Sequence, residues 1–280
     1  MSVRDEPLPS LAPECELTPV ADGVYERHAN RSWWAIGALH GGYVLALAIA
    51  TVERELTGSG TALQQLSLQY LRPFLEGPLR TQIVTERQGR SLTYATVLMH
   101  SCDRLAGKGL TVTAPPRRIG DLALARPPRV APYDPAENSV EATRSDPPMH
   151  RRMWFQPRAL EHRDPSRVAV WIAPRADEQL DHRWIAVLVD LMEPPICRAW
   201  PQPHMIRTVE LTYHARTVLP REDLPPGTPL LVVLSNGVCA GGFFDEDVEV
   251  WSPTGELLAQ SRQLRFVTEA PLSSPDGWPR

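Results

Sequence analysis

The sequence is poor in the features that mark most enzyme classes. Its four cysteines, Cys15, Cys102, Cys197 and Cys239, are scattered and form no CxxC pair. That pattern excludes a disulfide framework and a structural zinc site, and it fits a reducing, cytoplasmic setting. The longest apolar stretch, Tyr43 to Val52, falls far short of the ~20 residues that cross a bilayer. The first residues, Met1-Ser2-Val3-Arg4-Asp5-Glu6, lead into no apolar signal segment. There is no large charge excess either. The 29 basic residues face 33 acidic ones, a net charge of −4, which argues against a nucleic-acid surface.

Catalytic motifs are missing too. No GxSxG nucleophile elbow, GxxxxGK[ST] phosphate loop or GxGxxG helix start occurs. The eight histidines show no HExxH spacing and none has an aspartate five residues on. Metal hydrolysis and His-x4-Asp acyl transfer are thereby disfavoured. No cysteine has an evident partner histidine, so a thiol nucleophile is unsupported. Attack by an activated water, or binding alone, remains.

What is present is a globular chain, 42% apolar and 22% charged, with 29 prolines among its 280 residues. Residues 1–19 are polar and proline-rich and read as a flexible leader. Gly41 to Leu56 carries Val44, Leu45, Leu47, Ala48, Val52 and Leu56 at helical spacing, entered through His40-Gly41-Gly42. Strands follow at Leu63–Leu71, Leu79–Glu86, Ser91–Ser101 and Ala106–Thr113. The segment 115–147 is dense in proline and charge and reads as a surface linker. Beyond it, Arg152–Phe155 and Val168–Ile172 read as strands and Asp181–Met192 as an apolar helix stopped by Pro194-Pro195. Strands return at Ile206–Arg216, Leu230–Gly237, Phe243–Trp251 and Leu257–Val267.

Both halves thus run from a buried helix into antiparallel strands. A tandem repeat is the economical reading, with units at 20–114 and 148–280 and their sheets joined edge to edge. A helix wrapped by a sheet is enclosed on all sides, which explains its continuous hydrophobicity.

Several segments carry a resemblance. They are His40-Gly41-Gly42-Tyr43, Tyr70-Leu71-Arg72-Pro73 with Gly77, and Arg87-Gln88-Gly89-Arg90-Ser91 in the first half. In the second are Thr208-Val209-Glu210-Leu211-Thr212, Gly241-Gly242-Phe243-Phe244-Asp245-Glu246-Asp247 and Leu257-Leu258-Ala259-Gln260-Ser261-Arg262-Gln263. In this order the chain resembles the acyl-CoA thioesterase II type, a family of tandem (double) hotdog proteins of α+β class. The resemblance implies hydrolysis of acyl-CoA to acid and CoA without metal, cofactor or covalent intermediate. It also implies a homo-oligomer assembled through the sheets. The water-activating Asp, Thr and Gln of the family fall on Asp190, Thr208 and Gln263.

Each candidate has a plainer alternative. Asp190 interrupts an apolar run, where burial would suit a general base; otherwise it is a core aspartate paired with an arginine such as Arg198. Thr208 alternates with Glu210, Thr212 and His214 on one strand face, and threonine is common in strands. Gln263 can both donate and accept, or simply be a surface amide. His40, Gly41 and Gly42 could bring a substrate carbonyl to helix N–H groups, or serve close helix packing. The oxyanion itself is expected at a backbone amide starting the second helix, near Asp190. His214 is a rival base. Arg87, Arg90, Arg117 and Arg118 are candidates for the CoA phosphates, though such charges usually decorate solvated surface. A non-catalytic acyl-CoA or lipid binder is the alternative function. An enoyl-CoA hydratase-like enzyme is a second, but it would want an Asp–His pair, and His182 lies eight residues from Asp190.

Overall fold

A computed structural model of the chain describes residues 10–35, 37–57, 60–115, 122–137, 148–161, 164–175, 177–199 and 204–271. A short helix α1 (Leu11–Glu14) opens the described chain. Strands β1 (Thr18–Ala21) and β2 (Val24–Ala29) and a small hairpin, β3 (Trp34–Ala35) and β4 (Ala38–Leu39), follow it. The helix α2 (Gly41–Val52) then leads to β5 (Ala62–Tyr70), β6 (Gly77–Gln88), β7 (Thr93–Ser101) and β8 (Arg104–Ala114). The second half has β9 (Met153–Arg158), β10 (Arg167–Pro174), α3 (His182–Leu188), β11 (His204–Ala215) and β12 (Leu230–Ser235). It ends with β13 (Cys239–Ala240), β14 (Phe243–Trp251) and β15 (Leu257–Pro271).

All strands except β3 and β4 belong to one antiparallel sheet, ordered β1-β2-β6-β7-β8-β5-β11-β15-β14-β12-β10-β9 with β13 beside β14. The two halves meet where β5 pairs β11, Glu210 opposite Gln69 and Leu211 opposite Leu68. This is the tandem hotdog arrangement with the sheets joined edge to edge. From Gly42 to Val52 every residue of α2 is buried, as an all-round apolar helix requires.

α2 and α3 pack antiparallel. A Cβ on Gly42 would come within 2.5 Å of the Ala186 carbonyl oxygen and 2.9 Å of the Val187 Cα. At the opposite ends, Arg183 Nε lies 3.8 Å from Glu53 Oε2. Only a residue without a side chain permits so close a crossing.

Several expectations need correction. The leader is docked from Leu11 onward. Leu11, Cys15 and Leu17 are buried in the main core, and the Leu11 N–H donates to the Glu178 carboxylate at 2.9 Å. Apolar side chains hidden among the prolines supply that attachment. α3 ends at Leu188, four residues before the expected Met192, so Asp190 sits in the turn beyond it. The sequence pattern predicts no strand before Gly41, yet β1 to β4 lie there; strands so short give weak periodicity.

From 122 to 134 the chain has no helix or strand, and a single 3-10 turn (Pro135–Glu137) follows. It lies over the outer face of the second half. Val130 and Tyr133 pack on Ala169, Trp171, Leu231, Val233 and Trp251, and the Trp171 indole donates to the Ala131 carbonyl at 2.9 Å. Among the described residues no helix is long and apolar enough to cross a membrane.

Candidate active site

The site forms where the start of α2 meets the chain leaving α3. His40 caps α2, its Nδ1 accepting from the Tyr43 N–H at 3.3 Å. That role leaves the proton on Nε2, which donates to the Asp190 carbonyl oxygen at 2.9 Å. Burial lowers the His40 pKa, against the pull of Asp190, so the ring is neutral. The two halves are thereby stitched together at Asp190.

The Asp190 carboxylate points at the helix start. Oδ2 accepts from the Gly42 N–H at 3.0 Å, where the unpaired amides and the helix dipole favour a negative group. A Cβ on Gly41 would lie 2.6 Å from that oxygen, so Gly41 makes room for the carboxylate while Gly42 makes room for α3. Tyr70 braces the same turn, its hydroxyl donating to the Gly41 carbonyl at 2.8 Å. Burial pushes the Tyr70 phenol well above its ordinary value, so it stays protonated.

The other carboxylate oxygen, Oδ1, accepts from Arg265 Nη2 at 2.5 Å. Arg265 Nη2 also lies 3.0 Å from Glu246 Oε1. Burial opposes the Arg265 charge, but Glu246 and Asp190 outweigh it and hold the guanidinium above its usual range. Two carboxylates share one cation here, and the more enclosed, Glu246, titrates upward. Burial raises it to about 7, with Arg265 opposing and Asp190 adding.

Gln263 and Thr208 complete the network. Gln263 Nε2 donates to Glu246 Oε1 at 2.5 Å, and its Oε1 accepts from the Thr208 hydroxyl at 3.0 Å. Thr208 reaches this buried face because of a β-bulge. Thr208 pairs with Arg265, but Glu210 pairs with Leu264, so Val209 is the extra residue. The bulge reverses the alternation. Thr208 therefore turns inward, while Glu210 faces the outer side and accepts from Ser67 at 2.6 Å. The expected single face for Thr208, Glu210 and Thr212 is corrected accordingly.

A cavity of about 320 Å³ opens over this network. Asp190, Thr208, Arg265, His40 and Gly41 line it, with Tyr70-Leu71-Arg72-Pro73, Phe74, Arg207 and Phe266 among the rest. Gln263 is fully buried behind Thr208. Asp190, Thr208 and Gln263 thus belong to one connected network, but Asp190 joins the other two through Arg265 and Glu246.

Other expectations fare differently. The start of α3 is at the far end from Asp190, so the amides beside Asp190 belong to α2, in the first half. The arginine paired with Asp190 is Arg265. Arg87 and Arg90 are exposed and do not line the cavity. Their end of the sheet is that of Thr93 and Leu63, about 20 Å along β5 from Tyr70. Arg117 and Arg118 lie outside the described residues. His214 faces away from the cavity, on the Glu210 side of β11. His182 is buried against the Tyr213 hydroxyl at 2.8 Å, its pKa lowered to about 4 by burial against the pull of Asp181. Among the described residues the histidine nearest Asp190 is His40, 3.6 Å from Oδ2, and both its nitrogens are already committed.

Sequence reasoning missed Glu246 and Arg265. A signal existed: alternation with Phe244, Val248 and Val250 puts Glu246 on the apolar face of β14. Arg265 likewise falls in step with Ser261 and Gln263.

Comparison with known proteins gives the family. Residues 117–267 match the acyl-CoA thioesterase C-terminal domain, and residues 30–114 match the N-terminal domain. No curated protein matches the chain. Among solved structures, a hot dog fold protein of unknown function from Alicyclobacillus acidocaldarius is similar at 21% identity and a TM-score of 0.81. The match covers 91% of this chain and 97% of that one. A putative thioesterase II from Thermobifida fusca YX is 21% identical, with a TM-score of 0.77 over 92% and 97% of the two chains. The acyl-CoA thioesterase II TesB2 from Mycobacterium marinum is 14% identical, with a TM-score of 0.75 over 96% and 100%. With one family model covering more than half its length and the companion model most of the remainder, the chain belongs to the acyl-CoA thioesterase family.

Proposed function

We propose that this protein hydrolyses acyl-CoA thioesters to the free acid and CoA. The observation that carries the reading is the meeting of Asp190, from the second half, with the start of α2, from the first. It occurs in the wall of a cavity that also bears Thr208. A water between Asp190 and Thr208 gives a proton to the Asp190 carboxylate as its oxygen attacks the thioester carbon. Charge developing on the carbonyl oxygen is met by the first turn of α2 at Gly41. The carbon–sulfur bond then breaks, and the CoA thiolate takes the proton back from Asp190. No covalent intermediate forms.

Arg72 and Arg207, on the cavity wall, take the place of Arg87 and Arg90 as cations for the CoA phosphates. The chain also forms a homo-oligomer in this reading. Val84, Tyr94 and Leu110 are 40%, 39% and 58% exposed on the first half, whereas residues 130–133 cover the second half's outer face.

One observation favours a second reading. Both Asp190 oxygens already have donors, Gly42 and Arg265, so a chain that binds acyl-CoA without turning it over is the rival. A panel of acyl-CoA chain lengths, assayed by released thiol and by calorimetric binding, separates the two. Hydrolysis supports the enzyme; binding without thiol release supports the rival.

A further inference from the structure

Glu246 takes no part in the steps above, yet it touches both arms of the network. It lies on β14 between the inward-facing Phe244 and Val248 and is fully enclosed. A carboxylate in such surroundings is costly unless donors hold it. Two donors do, both from β15 and both on Oε1: Gln263 Nε2 at 2.5 Å and Arg265 Nη2 at 3.0 Å. Each leads onward to a different member of the trio. Arg265 continues to Asp190, and Gln263 continues to Thr208.

The direction of the Gln263 amide follows from this. With its NH2 given to Glu246, its carbonyl oxygen is what remains for Thr208. Thr208 must then donate its single proton inward, which leaves its lone pairs to accept a hydrogen bond from a water in the cavity. A reversed amide would turn the Thr208 proton outward and compete with that water. The arm through Arg265 sets the second constraint, because the guanidinium reaches Asp190 and Glu246 with the same nitrogen.

We propose that Glu246 is a positioning residue of this site, aiming the Asp190 carboxylate through Arg265 and fixing Thr208, through Gln263, as an acceptor for the attacking water. The inference rests on the thioester-hydrolase reading. The charged and titratable groups facing Glu246 are Arg265, Asp190 in the turn after α3 and the Cys197 thiol; Asp247, next to it on β14, acts from the opposite face. Its ionised form is the better acceptor for two donors, and burial places that ionisation at about 7. Positioning is therefore strongest above that range and weakens below it.

The test measures kcat and KM for acyl-CoA hydrolysis across about pH 6 to 8 in wild type and E246Q. E246Q should lower kcat about 10- to 100-fold with KM nearly unchanged, the size expected of a misplaced reacting group. The wild-type rise of kcat with pH through the neutral range should also disappear. A merely structural Glu246 would lower stability and leave that pH profile in place, and an unchanged kcat and profile in E246Q overturns the proposal. If E246Q does not fold, E246D keeps a charge for Arg265 and withdraws the acceptor by one methylene while leaving Asp190 its cation. It should lower kcat with KM nearly unchanged, and a wild-type kcat would overturn the proposal. No turnover by wild type on any acyl-CoA overturns the hydrolase reading and this proposal with it. Wild-type turnover with an unaffected E246Q overturns the positioning role alone.

Discussion

The two ends of the α2–α3 pair are built to one plan and finished differently. At each end a capping side chain accepts from the N–H three residues on: His40 from Tyr43 at 3.3 Å, and Asp181 from Trp184 at 2.9 Å. At each end a tyrosine hydroxyl braces the helix start, Tyr70 on Gly41 and Tyr213 on His182, both at 2.8 Å. Each also has a carboxylate arriving from the partner helix or the turn beyond it, Asp190 or Glu53, close to an arginine. The difference lies in the first turn. Gly41-Gly42 leaves Asp190 against bare backbone under a cavity. His182-Arg183 fills the equivalent place, with Arg183 bound to Asp181 and Cys15 close enough to feel both charges. Caps, tyrosines and facing acids therefore belong to the repeated frame; the glycine pair, with the cavity over it, marks the Asp190 end.

The largest expected effect falls on Gly42. Gly42→Ala drives a Cβ into the backbone of α3 and should lower stability by about 3 kcal/mol, read from the denaturant midpoint. Gly41→Ala meets only the end of the Asp190 side chain. It should keep most of the stability and lose turnover instead. Equal stability losses with turnover intact in Gly41→Ala would erase the distinction drawn between the two glycines.

The next effect uses pH. Each end holds one glutamate raised to about 7, Glu246 by burial against the pull of Arg265, and Glu53 by burial reinforced by Asp181. The folded chain thus keeps protons that the unfolded chain releases between about 4.5 and about 7, so stability falls as pH rises through that window. Glu53→Gln should flatten part of that slope in denaturant titrations at several pH values. It should not alter the pH profile of kcat. A changed profile would mean that the two ends communicate.

Much of this frame could be read from residue patterns. The continuous apolar run of α2 and the alternation along β5 to β8 reflect burial, which sequence periodicity reports directly. The family resemblance points to Thr208, but strand alternation alone gives it the wrong face, because a single unpaired residue, Val209, reverses the alternation. Nothing in the local pattern marks that bulge. Alternation alone puts Glu246 and Arg265 on the inward face of their strands, but that they pair there with Asp190 is visible only once two strands and a turn are brought together. The apolar pattern runs past the end of α3 at Leu188 because Val189 and Leu191 are buried beyond the helix.

The smallest effect concerns the surface. Arg87→Ala and Arg90→Ala, at the sheet end remote from the cavity, should change KM by less than about 2-fold, as exposed charges generally do. Arg207→Ala, on the cavity wall, should raise it more. The reverse order would move the CoA phosphates to the other end of the sheet.

The central claim is that the glycine-lined end is catalytic and that Asp190 is its base. Steady-state hydrolysis by purified Asp190→Asn, with its fold checked by thermal unfolding, tests that claim most directly. The account predicts a fall in kcat of about 10²-fold or more in a folded protein. Hydrolysis at the wild-type rate would contradict it, leaving Asp190 as the clasp that holds α2 to the chain leaving α3.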